Sequence, residues 1–376
     1  MSERESPAIL LAESLMRRYP DPDSYPFKSR SYSQGFVLWG FIRLYEYTRR
    51  VDFRDYVLAY CGKHVSDDGV IARFTGQSLD SILPGSVIVW AYLETGKEKY
   101  RKASRQVRAA YDTYPRNPDG GHWHNRRAKG QMWVDGVFMS LMFLARYGKY
   151  IAEGQERKNC YDECVRQMKL IFLHCRKDTS GLLYHAWCDV EAAGADKPRW
   201  ASQVSGCSPE VWSEGLGWYA MALVEVLDLL PQNWPGRVDL KDQLAVLGRD
   251  LLRVQANNGL FCQVVDRPRA PRNFFDTSGS AMFLYTFVRA RQLKLLGGGE
   301  LDRAIERGYR GVLSKCVQGA DGTVHVLDAC DGVGVQNSYD DYVDYARSVD
   351  AKEAVAAVLW ALTAVESDVE GAAHDK

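Results

Sequence analysis

The chain has 376 residues, 46% of them hydrophobic and 12% aromatic, and its 48 basic residues balance 48 acidic ones. That is apolar material enough for a large core, and a net charge of zero excludes the strongly basic surface that binding nucleic acid or an anionic membrane demands. No apolar run is long enough to span a bilayer, and the opening Met-Ser-Glu-Arg-Glu-Ser carries acids where a secretory signal has an apolar segment, so no signal is expected.

Residues 7–19 are amphipathic, with Ile9, Leu10, Ala12, Leu15 and Met16 near helical spacing, and Pro20, Pro22 and Pro26 end the pattern. Residues 33–49 are apolar round most of their surface, as a buried helix is. Residues 54–64 form the next amphipathic helix. The alternation then repeats: 81–94 apolar and 98–113 mixed, 134–147 and 160–176, 214–230 and 240–256, 278–294 and 301–315. Segments 339–346 and 350–365 finish the set. The pattern predicts an all-α protein of twelve helices in six inner–outer hairpins, with strands short and local. No Pro-, Gly- or Ser-rich linker divides the sequence, so one domain over 1–376 is expected, with a frayed tail from about Ser367.

A short motif recurs after the mixed segments: Asp68-Gly69 leading to Arg73, Asp119-Gly120 to His124, Ser180-Gly181 to His185, Asn258-Gly259 to Gln263, and Asp321-Gly322 to Val326. A Gly there is the usual way to end a helix in the left-handed conformation. A helical hairpin repeated round a closed ring puts the residues just before the buried helices on one rim, where chemistry is expected.

Two acids, Asp80 and Asp135, open apolar segments. Asp is a preferred N-cap, and capping alone would account for either. Around Asp135, however, stand Met132, Trp133, Phe138 and Met139, a setting that strips hydration from a carboxylate and raises its pKa. A raised carboxyl suits a general acid. His124 and His185 share one offset in the repeat, which points to the same rim. No acid or Cys joins them at ligand spacing, so no metal site is expected. Between Trp212 and Trp218 lie Glu214, Gly215 and Gly217; the glycines suit either close approach to a flat ligand or a tight helix entry. Nine Cys, an odd number without zinc spacing, read as free thiols in a reducing, cytoplasmic compartment.

On Leu79-Asp80 with Pro84-Gly85, Trp123-His124, Met132 through Met139, Gly181 through His185, Trp212 through Trp218 and Thr277 through Met282, in that order, residues 33–345 resemble the unsaturated rhamnogalacturonyl hydrolases of glycoside hydrolase family 105. More distantly they resemble the unsaturated glucuronyl hydrolases of family 88. The resemblance implies an (α/α)6 barrel that removes a 4,5-unsaturated uronic acid from the non-reducing end of lyase-made oligosaccharides, as in pectin breakdown. It implies Asp135 as catalytic acid and Asp80 as its partner carboxylate. His124, Trp133, His185 and Trp218 match positions lining the sugar pocket, and Trp212 and Glu214 join them as substrate-binding residues. Neither a metal nor an organic cofactor is implied; the partner is an oligosaccharide substrate, with no nucleic acid or membrane, and the oligomeric state is left open. One position departs: the family usually has Arg where this chain has Glu214, which exchanges a carboxylate-binding cation for an anion and favours a neutral neighbouring sugar such as rhamnose. Three other functions fit the same residues: a sugar epimerase using His124 and His185 across a ring, an inverting hydrolase of saturated glycosides with Asp80 facing Asp135, and a carbohydrate-binding barrel without catalysis.

Overall fold

Apolar stretches alternate with amphipathic ones, and each kind of helix finds the surface it needs. The structure, a computed structural model, describes residues 6–26 and 30–374, with backbone only from residue 370. Residues 1–5, on which the reading of the chain's start rests, and the last two residues of the expected tail lie outside the described residues. In chain order the helices are α1 (Pro7–Arg18), α2 (Tyr32–Thr48), α3 (Val51–His64), α4 (Leu83–Thr95), α5 (Glu98–Ala109), α6 (Val134–Tyr150), α7 (Gly154–Cys175), α8 (Val190–Ala193), α9 (Ser213–Leu229), α10 (Arg237–Val254), α11 (Thr277–Gln292), α12 (Gly299–Leu313), α13 (Tyr339–Val343) and α14 (Lys352–His374).

Helices α2, α4, α6, α9, α11 and α14 each pack on the next, and α14 closes onto α2. They are buried on almost every side, consistent with sequences apolar all round. Helices α3, α5, α7, α10 and α12 cover them from outside. The fold is therefore the expected (α/α)6 barrel of six hairpins.

The sixth outer helix is not the one the sequence suggested. Segment 339–346 forms only the five-residue α13, with Asp340 and Asp341 turned outward. The place is taken by α1, which buries Ala8, Leu11, Ala12 and Leu15 and packs on α14. The carboxylate of Glu366 accepts from the Ala8 amide at 3.0 Å, so the two ends of the chain close the ring together. Helix α14 also runs on past Ser367, where fraying was expected, and Asp368 pairs with Arg291 at 2.5 Å.

The recurrent glycines, Gly181 apart, turn out to serve tight turns and not helix ends. Helix α3 stops at His64, and Gly69 follows in a turn whose amide donates to Ser66 O at 3.0 Å, inside a ribbon bridged Val65 to Ile71. Its φ of 84° is the left-handed conformation that favours Gly. The turn at Gly120 is built the same way. Small two-stranded ladders continue these ribbons: β1 (Gln131–Trp133) with β2 (Ala186–Cys188), β3 (Phe261–Cys262) with β4 (Phe275–Asp276), β5 (Cys316–Gln318) with β6 (Val324–Val326), and β7 (Ala329–Cys330) with β8 (Arg347–Ser348).

The far end of the barrel is closed by charge. Glu225 of α9 is buried and bonds to Arg43 of α2 at 2.7 Å, to Arg146 of α6 and to the Tyr285 hydroxyl of α11. Burial alone would raise its carboxyl; Arg43 and Arg146 outweigh it and hold the pKa at about 2.

Candidate active site

At the other rim the inner helices begin, and each start carries a polar residue: Tyr32 on α2, Asp80 just before α4, Asp135 on α6, Glu214 on α9, Asp276 just before α11 and Glu353 on α14. The loops that bring them there are laced to one another by backbone bonds. Leu79 N donates to His124 O at 3.2 Å, Val134 N to His185 O at 3.0 Å, His185 N to Glu210 O at 3.1 Å, Ser213 N to Gln263 O at 2.9 Å and Thr277 N to Asp328 O at 3.0 Å. Each helix start is thereby fixed relative to the next.

The structure brings Asp80, His124, Trp133, Asp135 and His185 together. The β1–β2 register sets Trp133 opposite Ala186, beside His185. The His124 ring stacks flat on Trp133, with centroids 4.2 Å apart, and Trp133 meets His185 edge-on at 5.8 Å. His124 Nε2 lies 3.8 Å from Asp80 Oδ1. His185 is 1% exposed and its Nδ1 shares a 2.7 Å hydrogen bond with the Tyr342 hydroxyl. Burial, then His124, pushes the His185 pKa well below its ordinary value, so the ring is neutral.

Neither candidate acid is a cap. Ile82 stands at the N-cap of α4 and Trp133 at that of α6. The capping role falls instead to Asp276, whose carboxylate accepts from the Ser278 and Gly279 amides. Asp135 keeps some surface, but its Oδ1 is sealed off and has no hydrogen-bond partner among the described residues. Burial raises its carboxyl pKa; His124 opposes the rise and the charge on Asp80 adds to it. Asp80 is the more open of the two, with 28% of its side chain exposed.

Glu214 is 3% exposed and pairs with no arginine among the described residues. Burial drives its carboxyl well above the ordinary range, and Glu353 and Asp276 add to the effect. Glu353 is also raised by burial, against the pull of Lys352, which lies 3.0 Å away, and of the Tyr32 hydroxyl. Burial raises the Tyr32 hydroxyl well above its ordinary range, and Glu353, Glu214 and Asp80 add to the rise.

Trp212 and Trp218 are 3% and 2% exposed and offer no open face for a sugar. Trp218 packs on Phe36 and Phe138, with centroids 4.4 and 4.9 Å away, and supports the floor from below. The glycines between them serve helix packing. A methyl on Gly215 would lie 2.9 Å from the Trp212 ring, and one on Gly217 would lie 2.7 Å from Met282 Sδ on α11.

Several buried polar atoms at this rim lack a partner among the described residues, His124 Nδ1, Asp135 Oδ1, His185 Nε2, Trp212 Nε1 and Glu353 Oε2 among them. Buried polar groups are normally satisfied, and such a concentration suits a hydroxyl-rich ligand. Glu353 and Tyr32 were not singled out from sequence, yet both obey the rule that singled out Asp80 and Asp135, since each stands at the start of an inner helix. No group of three or more His, Cys, Asp or Glu among the described residues is arranged to hold a metal ion, and no helix among them is long and apolar enough to cross a membrane.

Comparison with known proteins agrees with this geometry. The model of Glycosyl Hydrolase Family 88 matches residues 10–368. A structure of a family 105 glycoside hydrolase from C. acetobutylicum ATCC 824 superposes with a TM-score of 0.87 at 26% identity, covering 96% of this chain and 99% of that one. The unsaturated rhamnogalacturonyl hydrolase YesR of Bacillus subtilis (strain 168) is 23% identical over 320 residues, 76% of this chain and 84% of that protein. Protein Atu3128 of Agrobacterium fabrum is 33% identical over 170 residues, 45% of this chain and 68% of that protein.

Proposed function

The chain belongs to Glycosyl Hydrolase Family 88, and from that premise we propose that it removes a 4,5-unsaturated uronic acid from the non-reducing end of oligosaccharides made by a polysaccharide lyase. The observation that carries this reading is Asp135, a carboxyl with a sealed, unpartnered oxygen and a raised pKa at the head of an inner helix. Such a group holds its proton and can deliver it.

In this reaction Asp135 gives its proton to C4 of the C4=C5 double bond. Positive charge develops at C5 and is shared with the ring oxygen. Water adds at C5 and loses a proton, which restores the acid. The resulting hemiketal opens to a ketone and releases the neighbouring sugar from C1. Asp80, 3.8 Å from His124, keeps negative charge near Asp135 and favours its protonated form. Trp133, held flat by His124, supplies an aromatic face for the ring, and His124 Nδ1 and His185 Nε2 supply hydrogen bonds to its hydroxyls. Glu214 and Glu353, both inclined to keep protons, donate where an anion would repel. The activity is that of one catalytic unit, a reading supported by the match over residues 10–368 and by ring closure between α1 and α14. Its place is the cytoplasm, supported by nine thiols, all free.

The test is a panel of lyase-digested pectin, ulvan and glycosaminoglycan fragments, followed by the ultraviolet absorbance of the unsaturated uronate. Loss of absorbance with release of the shortened sugar is expected. Cleavage of saturated glycosides with absorbance retained, or epimerisation without cleavage, would overturn the reading.

A further inference from the structure

The first copy of the recurrent motif ends in Arg73, and the catalytic reading leaves it unused. It stands in the repeat where His124 and His185 stand in the next two copies. In the structure Arg73 lines a cavity of about 300 Å³ on the same rim, together with Asp23, Arg30, Lys63, His64 and Ser81. The cavity shares a wall with the catalytic turn: Ser81 directly follows Asp80, and Arg30 donates to Ser81 O at 3.4 Å.

Its charge is unbalanced in a particular way. Asp23, the one acid in the lining, is engaged by His64 at 2.9 Å and Lys63 at 3.2 Å, and Lys63 is held by Asp21 as well. Arg30 and Arg73 have no acidic partner among the described residues. Arg30 is half-buried and lies over the Phe74 ring at 4.6 Å, which fixes the guanidinium plane. Burial of that guanidinium without a counter-ion lowers its pKa, a cost that an anionic ligand would remove. The rim at Asp135 carries carboxyls instead, with Asp80, Asp135, Glu214 and Glu353 at or beside the starts of inner helices. A chain whose unsaturated end reached Asp135 could set a second carboxylate over the arginines.

We propose that the cavity bounded by Arg30, Arg73 and Ser81 is a subsite for the carboxylate of a further uronic acid in the leaving part of the oligosaccharide. This rests on the unsaturated-uronyl reading above. The neighbouring sugar stays neutral, and the next acidic one gives up its water to the guanidinium groups, whose planar forks match a carboxylate. The enzyme therefore prefers longer acidic fragments to the disaccharide.

The experiment compares kcat/KM on an unsaturated uronyl disaccharide with a neutral second sugar against the tetrasaccharide of the same repeat, which carries a second uronate. Wild type favours the tetrasaccharide, and added salt reduces the preference. The tetrasaccharide-to-disaccharide ratio should fall about threefold in Arg73→Gln and about tenfold in Arg30→Gln, mostly through KM. Arg73→Lys should retain most of it. Arg73 is exposed, so its variants report even where Arg30→Gln fails to fold. A ratio unchanged in Arg73→Gln, or falling equally in Arg73→Lys, overturns the subsite. A wild type that turns over neither substrate overturns the unsaturated-uronyl reading itself.

Discussion

Replacing Asp135 by Asn changes one atom's chemistry and almost nothing else. The amide has the same shape, and the oxygen or nitrogen it places at Oδ1 meets no partner among the described residues in either case. What is lost is the proton. General acid catalysis contributes about 10²- to 10⁴-fold, so kcat should drop by that factor, about 3–5 kcal/mol of barrier at 1.36 kcal/mol per tenfold. Stability should move the other way. Burial lifts the folded-state pKa of Asp135 above its ordinary 3.8. The folded protein therefore binds that proton more tightly than the unfolded chain. The associated stability is fully present below about pH 3.8 and is lost as pH rises through the folded-state value. Asn does not titrate, so the variant should match wild type in acid and melt higher at neutral pH. Single-turnover loss of the unsaturated-uronate absorbance and melting curves across pH measure both halves. A kcat within tenfold of wild type in a folded variant would refute Asp135 as the acid. A lower melting point at neutral pH would show that the carboxylate is structural.

The charge on Asp80 helps to raise Asp135, so Asp80→Asn should shift the falling alkaline limb of the pH–kcat/KM profile to lower pH; an unmoved limb would show the two carboxyls to be uncoupled. Glu214, raised above 4.5 by burial, Glu353 and Asp276, contributes stability that is lost as pH rises from there through its folded-state value. Glu214→Gln should flatten the decline in melting temperature between about pH 5 and pH 8, and a decline as steep as wild type would count against the acid cluster. Glu225→Ala leaves Arg43 and Arg146 buried without their shared acid and should cost about 3–5 kcal/mol by urea denaturation. Thiol titration of the denatured, unreduced chain should count nine groups; five or fewer would mean disulfides.

The barrel was legible because its signals are local. Each inner helix is apolar all round over its own residues, and each outer one shows its stripe within a few turns. The rim followed from the same periodicity, and with it Asp80, His124, Asp135 and His185. Had the rule been carried to every inner helix, Tyr32 and Glu353 would have been found too. Other features depended on residues far apart in the chain. Segment 339–346 looked like the twelfth helix, but α1 fills that place because ring closure joins the two ends of the sequence. Asp80, Asp135 and Asp276 are alike as letters at helix starts, yet of the three only Asp276 occupies the N-cap of its helix. Glu214 stands beside Trp212 in sequence, but its charge state depends on Glu353, 139 positions away, and on Asp276. Helical periodicity is set by bonds that reach four residues. The burial and field that decide what a carboxyl does are set by whichever side chains the closed ring brings against it.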